Sequence, residues 1–302
     1  MGHLKGKSLS RRKQLEGIAL VNLATFSWAT NMVLGRWLRE DIGPITLAAA
    51  RFLIASLCFV FLMRRLPAEE RRLGEERWWL LAMALTGVVA FGPTLYLGLR
   101  YSTAVTATLL NGFGPLITGL LASLLIREPM SRRQVIGALV GLAGVIVLIS
   151  GGSLDLAQVI GGKAGSLIVL GSVLLWSVYS VLGRQVMRKR SALSATALPA
   201  FLGLPLLLLA AIWDLQVRPV DLTGGLVLVI LYIGFVPTVV GFFSWNAGVR
   251  RLGASGAMVF FNTLPLYGAL LGTLFLGESI GLAHLVGGLL VVAGGLWAAR
   301  AR

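Results

Sequence analysis

One cysteine, Cys58, and two histidines, His3 and His284, are all that 302 residues contain. A single thiol excludes an intramolecular disulfide and any cysteine metal cluster, so neither a metal nor a cofactor is expected. Charge is also scarce, at 13% of residues, too little to cover the surface of a soluble protein of this length. The twelve carboxylates avoid the middle of every apolar run. Glu16 starts the first run, Glu128 and Glu278 end the fourth and ninth, and the rest lie in loops or at ends. A membrane hydrolase or prenyl transferase needs paired carboxylates, a metal cluster or a nucleophile beside its base. None can be assembled, so the chain is not read as an enzyme. Carriers driven by protons or sodium often hold a buried carboxylate near the bilayer midplane. Lacking one, a carrier of this sequence is expected to run downhill, or to couple through loop acids or backbone carbonyls.

What the chain has is apolar length. Hydrophobic residues make up 57% and the mean hydropathy is +0.85. A bilayer core needs about 20 apolar residues per helix. Ten such spans are predicted, at roughly 16–37, 44–64, 78–99, 103–126, 133–150, 165–187, 194–213, 222–249, 254–276 and 282–299. The fold class is therefore an all-α polytopic membrane protein, with the lipid bilayer as its surroundings. The net charge of +15 could suggest nucleic acid, but its distribution argues against such a partner. With the N-terminus inside, 21 basic residues fall on the inner side, in clusters such as Lys5–Lys13, Arg64–Arg77, Arg127–Arg133 and Arg184–Arg190. Five fall outside: Arg36, Arg39, Arg100, Lys163 and Arg218. This positive-inside bias puts both termini in the cytoplasm of a bacterial-type inner (plasma) membrane. The basic start is followed by a full-length span without an Ala-x-Ala-type site, so it is read as a retained helix rather than a cleaved signal.

The chain also repeats. Trp28-Ala-Thr-Asn-Met-Val-Leu-Gly-Arg36 returns as Trp176-Ser-Val-Tyr-Ser-Val-Leu-Gly-Arg184, and Gly98-Leu-Arg100 as Gly248-Val-Arg250. Ala104 matches Ala254, Pro115 matches Pro265, Glu128 matches Glu278 and Gly144 matches Gly294. Each half holds five spans, and an odd number inverts the second half relative to the first. Inverted repeats of membrane helices are the hallmark of carriers that alternate their access. The division expected is a cytoplasmic basic segment (1–15), a first five-helix repeat (16–150), a glycine-rich linker (151–164) and a second five-helix repeat (165–302), the repeats enclosing a central cavity. Trp37, Trp78, Trp79, Trp213 and Trp297 sit at span ends, as interfacial anchors do. The glycines Gly137, Gly141, Gly144 and those from Gly281 to Gly295 suit close helix packing or a dimer surface, and the choice between monomer and homodimer stays open.

Aromatic and amide side chains stand at mid-depth instead of acids. Trp28 and Asn31 lie three apart on the first span, and their counterparts on the sixth are Trp176 and Tyr179. Indoles at the bilayer centre need partners for their N–H groups. Either these residues pack helices together or they wall a cavity. Asn22 and Thr25 share another face of the first span. Pro93 and Pro237, in similar Phe-x-Pro-Thr settings, and the equivalent Pro115 and Pro265, interrupt four spans. An internal proline frees the carbonyl four residues earlier, and in lipid that carbonyl must find another partner. These prolines are candidate hinges. Around them lie Tyr96, Asn111, Trp245, Asn262 and Tyr267. Arg51 is the one basic residue well inside a span. Snorkelling to the outer headgroups is the first expectation for it, with a substrate carboxylate or a helix C-terminus as alternatives.

Ten spans in two inverted halves, Thr46-Leu-Ala-Ala-Ala-Arg51-Phe-Leu-Ile-Ala in span two, and Gly277-Glu-Ser at the end of span nine resemble the EamA-type drug/metabolite transporter superfamily over essentially the whole chain. Within it, the sequence is most similar to the YddG-type aromatic amino acid exporters. The resemblance implies a ten-helix basket with a central cavity, exporting small metabolites by alternating access. The small four-helix multidrug relatives carry a glutamate within their first helix. Glu16 lies too near the inner end to take that place, which argues against proton antiport of cationic drugs.

The expected function is therefore export of small amphipathic metabolites, most of all amino acids including aromatic ones. Asn31, Asn111 and Asn262 would hold the polar ends of such a substrate, and Trp28, Trp176, Tyr179 and Trp245 would stack on its side chain. Asn22, Tyr96 and Tyr267 complete the candidate substrate-binding set. The rival readings are a multidrug, nucleobase or nucleotide-sugar carrier of the same superfamily, and a membrane protein that does not transport.

Overall fold

The computed structural model describes residues 11–127, 130–152 and 164–299. The basic residues Lys5, Lys7, Arg300 and Arg302, Lys163, Glu128 and most of the glycine-rich linker lie outside the described residues. Every described element is helical. Eight helices are long and apolar enough to cross a membrane: α1 (Arg11–Trp37), α2 (Pro44–Met63), α3 (Arg77–Tyr101), α4 (Ala104–Leu125), α5 (Arg132–Ser150), α6 (Ala164–Val186), α7 (Ala192–Val217) and α8 (Gly224–Val249). Two shorter apolar helices complete ten spans, α9 (Thr263–Leu276) and α10 (Leu282–Ala299). The chain is a multi-pass membrane protein, with apolar side chains such as Phe61, Leu209, Leu228 and Phe275 exposed where lipid would cover them.

Local sequence sets the helix ends. Ser131 caps α5 in a reciprocal box with Gln134. Ser191, Thr103 and Thr223 accept from the third backbone N–H of α7, α4 and α8. Pro44 occupies the first turn of α2, where its missing N–H costs nothing. Gly151 and Gly277 end α5 and α9 with φ of 63°, which a side chain resists.

Carboxylates from one half cap helices of the other. Asp214 at the end of α7 accepts from Ile45 and Thr46 N–H at the start of α2 (3.0 and 2.9 Å) and from the Thr46 hydroxyl (2.9 Å). Glu278, just past α9, accepts from Ala104 and Val105 N–H at the start of α4 (2.8 and 2.9 Å). Glu70 does the same for Ser191 N–H before α7 (3.0 Å). A negative charge on an unsatisfied helix N-terminus is favourable, so acids at helix ends lock the halves together. The segment between α2 and α3 has only the single helical turn Ala68–Arg71, because Pro67 and Gly74 (φ 60°) interrupt it. Its Glu76 pairs with the nearly buried Arg190 at 3.0 Å.

Four spans are irregular where prolines fall. α3 contains a π-helical stretch, Ala84–Ala90, three residues before Pro93. α8 contains another, Val236–Val240, around Pro237. α4 breaks at Gly112–Phe113 ahead of Pro115, and Asn262 separates α9 from the helix before it, ahead of Pro265. The carbonyl that Pro237 frees belongs to Ile233, and the Thr238 hydroxyl donates to it at 3.1 Å. Helical bonding runs on from Gly241 to Phe261. The Trp245 and Phe261 rings are nevertheless 5.6 Å apart, where a straight helix would separate them by about 24 Å. The chain reverses between them, as two successive spans require.

The glycines of α5 and α10 pack these two helices within the chain. A side chain on Gly144 would meet the Gly287 carbonyl oxygen at 2.6 Å, so the backbones touch. The N-terminal helix is already formed at Arg11, ahead of its apolar stretch, and Glu16 on it pairs with Arg12 and Arg251 (3.2 and 3.5 Å). The snorkelling expectation for Arg51 is overturned. Its side chain is 3% exposed, and its Nε donates to Thr238 Oγ1 at 2.7 Å, inward against α8.

Candidate functional site

Residues of α1, α2, α3, α4, α6, α8 and α9 line a partly open pocket midway along the spans. Trp28, Asn31 and Met32 reach it from α1, Arg51 from α2, and Phe91 and Leu95 from α3. Asn111 and Trp176 come from α4 and α6, while Phe242, Phe261 and Leu264 close the second-half side. The space open to a water's centre is about 40 Å³, room for roughly three waters.

The aromatic wall is continuous. Trp176 stacks on Tyr179 (5.1 Å between centroids, 27°) and meets Phe91 at 5.0 Å. Trp28 meets Trp245 at 5.6 Å and Phe261 at 6.2 Å. Phe242 bridges the two indoles, 5.8 Å from Trp28 and 5.6 Å from Trp176. The Trp28 indole N–H donates to the Pro237 carbonyl at 3.0 Å, which meets its need for a partner in a water-poor interior. Gly241 makes this approach possible, since a side chain there would meet the Ser27 hydroxyl at 2.8 Å and the Trp28 nitrogen at 3.0 Å.

The polar groups divide by role. Asn31 accepts from the Tyr96 hydroxyl at 2.8 Å through Oδ1, which leaves its amide nitrogen as a donor. Asn111 donates from Nδ2 to the Ala107 carbonyl at 3.1 Å, which leaves Oδ1 as an acceptor. Arg51 adds the one ionisable group in the lining among the described residues.

Of the residues singled out from sequence, Trp28, Asn31, Asn111 and Trp176 line the cavity. Tyr96, Tyr179 and Trp245 stand directly behind them. Asn22 and Tyr267 lie elsewhere and pair with each other at 2.8 Å between α1 and α9. Thr25 joins Thr263 at 2.8 Å on the same seam. Asn262 is buried beside Gly295 of α10, its Oδ1 without a hydrogen-bond partner. Sequence reasoning missed Phe91, Phe242, Phe261, Met32, Leu95 and Leu264, which are apolar residues among many, and it left the inward course of Arg51 as one alternative.

Profiles of the EamA-like transporter family match residues 15–150 and again 163–299. This chain belongs to the EamA-like transporter family. It is a membrane transporter of the drug/metabolite type, not an enzyme, and its partners are a small-molecule substrate and the lipid bilayer. The chain is 27% identical over 285 residues to the uncharacterized transporter YyaM of Bacillus subtilis, covering 93% of this chain and 92% of that one. It is 26% identical to an uncharacterized transporter of Archaeoglobus fulgidus, covering 91% and 94%. It is also 26% identical over 280 residues to the "probable terminal-alkyne amino-acid exporter" of Streptantibioticus cattleyicolor, covering 90% and 89%. A crystal structure of a protein 23% identical in sequence shares the fold, with a TM-score of 0.63 over 96% of this chain and 97% of that chain.

Proposed function

We propose that this transporter exports small amphipathic metabolites, amino acids with aromatic side chains foremost, across the inner (plasma) membrane by alternating access. The observation that carries the reading is the aromatic wall made by Trp28, Phe242 and Trp176 around two amides of opposite hydrogen-bonding polarity. An aromatic side chain stacks on such a wall. An ammonium finds an acceptor at Asn111 Oδ1, and a carboxylate finds a donor at the Asn31 amide. The named amino-acid exporter among the relatives supports the same cargo class.

The two inverted halves, 16–150 and 165–302, rock about the irregular turns at Pro93, Pro115, Pro237 and Pro265 and open the cavity to each side in turn. Both termini and the Arg190 end of the bundle face the cytoplasm, in line with the basic bias of those segments. Among the described residues the lining contains no carboxylate, which favours exchange that runs without a pH gradient. Counterflow tests this. Proteoliposomes loaded with a panel of amino acids should take up labelled phenylalanine saturably, in competition with aromatic amino acids, with or without a pH gradient. No exchange of any amino acid by folded, monodisperse protein would overturn the amino acid reading.

A further inference from the structure

Arg51 is a permanently charged group taken out of water with part of its guanidinium unsatisfied. Its Nε is used by Thr238 at 2.7 Å, and that hydroxyl is itself oriented by the Ile233 carbonyl freed at Pro237. Its Nη1 is buried and has no hydrogen-bond partner. The Phe52 ring lies 5.4 Å from the guanidinium carbon, and the Tyr96 phenol, which donates to Asn31, is a neutral hydrogen-bonding neighbour of the guanidinium. No carboxylate lines the cavity with it. An uncompensated buried cation is costly. The cost is relieved by an anion that arrives in the cavity and accepts from the planar fork.

We infer that Arg51 is the seat for an anionic headgroup, so that the cavity selects small carboxylates with an apolar body, and the ammonium group of an amino acid is secondary to recognition. This rests on the cavity being the transport site, as proposed above. The asymmetry follows from charge. A carboxylate meets a full positive charge plus the Asn31 amide, whereas an ammonium meets only the neutral Asn111 carbonyl and is repelled by Arg51. Arginine suits the role better than lysine, because Nε anchors on Thr238 while Nη1 keeps a donor for an arriving oxygen. The position has no counterpart in the second half, where Pro199 stands in place of Arg51. The anion is therefore held at one place in the cavity, and this makes the cargo's orientation definite.

The test uses purified full-length protein and three probes of matched shape: 3-phenylpropionate (carboxylate only), phenylalanine (both groups) and phenethylamine (ammonium only). Binding is read by equilibrium titration and by thermal stabilisation at neutral pH. In the wild type, 3-phenylpropionate and phenylalanine should bind at least about tenfold more tightly than phenethylamine. Arg51→Gln should weaken the two carboxylates by about tenfold or more and narrow the gap to the amine. Arg51→Lys, which keeps the charge but not the fork, should fall between them and covers the case in which the glutamine variant does not fold.

Equal or tighter binding of phenethylamine in the wild type would overturn the inference. So would wild-type affinity for 3-phenylpropionate in folded Arg51→Gln, or no binding of 3-phenylpropionate to folded wild type. Phenylalanine counterflow at the wild-type rate in Arg51→Gln would remove the anion seat and leave the carrier reading standing. Carboxylate binding without phenylalanine counterflow would do the reverse.

Discussion

The Trp28 indole N–H donates to the Pro237 carbonyl at 3.0 Å, so a side chain of the first helix is tied to the π-helical turn of the eighth. The tie lies at the cavity edge. Trp28→Phe keeps the ring contacts with Trp245 and Phe242 but leaves that carbonyl without its donor. Loss of one buried hydrogen bond costs about 1 kcal/mol. The unfolding midpoint in detergent should drop by a few degrees and the counterflow rate should change; an unaltered midpoint and rate would show that the bond carries neither.

Trp176 stacks on Tyr179 from behind and faces the cavity with its other surface. Trp176→Ala removes a stacking partner worth about 0.5–1.5 kcal/mol. Transport of phenylalanine and tryptophan should lose up to about tenfold in affinity, with a smaller loss for leucine or alanine. Equal losses for aromatic and aliphatic cargo would mean the ring only shapes the cavity.

Pro237 frees the Ile233 carbonyl, which the Thr238 hydroxyl then takes. Pro237→Ala restores an N–H that can close a regular turn, removing both the kink and the reason for Thr238 to point where it does. The variant should be at least as stable as the wild type in thermal unfolding, while counterflow slows by about tenfold if the turn is a hinge, a barrier change of roughly 1.4 kcal/mol. Unchanged transport would reduce the proline to a structural feature.

Glu278 takes the Ala104 and Val105 N–H groups with its two oxygens. Glu278→Gln has only one oxygen to offer, so one N–H is orphaned at the start of α4, at a cost of about 1–3 kcal/mol. The midpoint should fall while the ranking of transported substrates holds. A changed ranking with no loss of stability would place Glu278 in recognition instead.

Glu76 meets Arg190 at 3.0 Å outside the spans. Burial pushes its carboxyl up, but its backbone hydrogen bond and the hydrogen bond and charge of Arg190 outweigh this, and the net result lies below the ordinary carboxylate range. A carboxyl depressed by folding stabilises the protein above its unfolded pKa of about 4.3, and that contribution is lost as the pH falls through the folded value. The unfolding midpoint should therefore decline as the pH is lowered through about 4, and Glu76→Gln should flatten the decline while lowering the midpoint at neutral pH. The same acid slope in wild type and variant would contradict the assignment.

The sequence carried the architecture because its signals are long-range and redundant. Apolar length, the Trp28/Trp176 repeat and the matched prolines each point to ten spans in two halves. It carried only part of the cavity. A phenylalanine facing lipid and one facing a cavity are chemically alike, so Phe91, Phe242 and Phe261 could not be separated from exposed residues such as Phe243 and Phe275. Polar residues were overread for the opposite reason. In a span any amide needs a partner, and Asn22 found one in Tyr267 across the α1–α9 seam, away from the cavity. Arg51 was ambiguous because two turns of helix can be bridged either by a long side chain reaching the headgroups or by a threonine waiting inside. Thr238 is placed by the Pro237 break in a distant helix, which no local pattern encodes.

The central claim is that one cavity, shared by both halves, opens to each side of the membrane in turn. Cys58 is the sole cysteine, so a Cys58→Ser background accepts a single reporter, Phe242→Cys, at the junction of the aromatic wall. Labelling with a membrane-impermeant maleimide is then measured in right-side-out and in inside-out vesicles. The account predicts labelling from both sides, slowed in each case by phenylalanine. Labelling from one side only, or labelling that substrate does not affect, would contradict it.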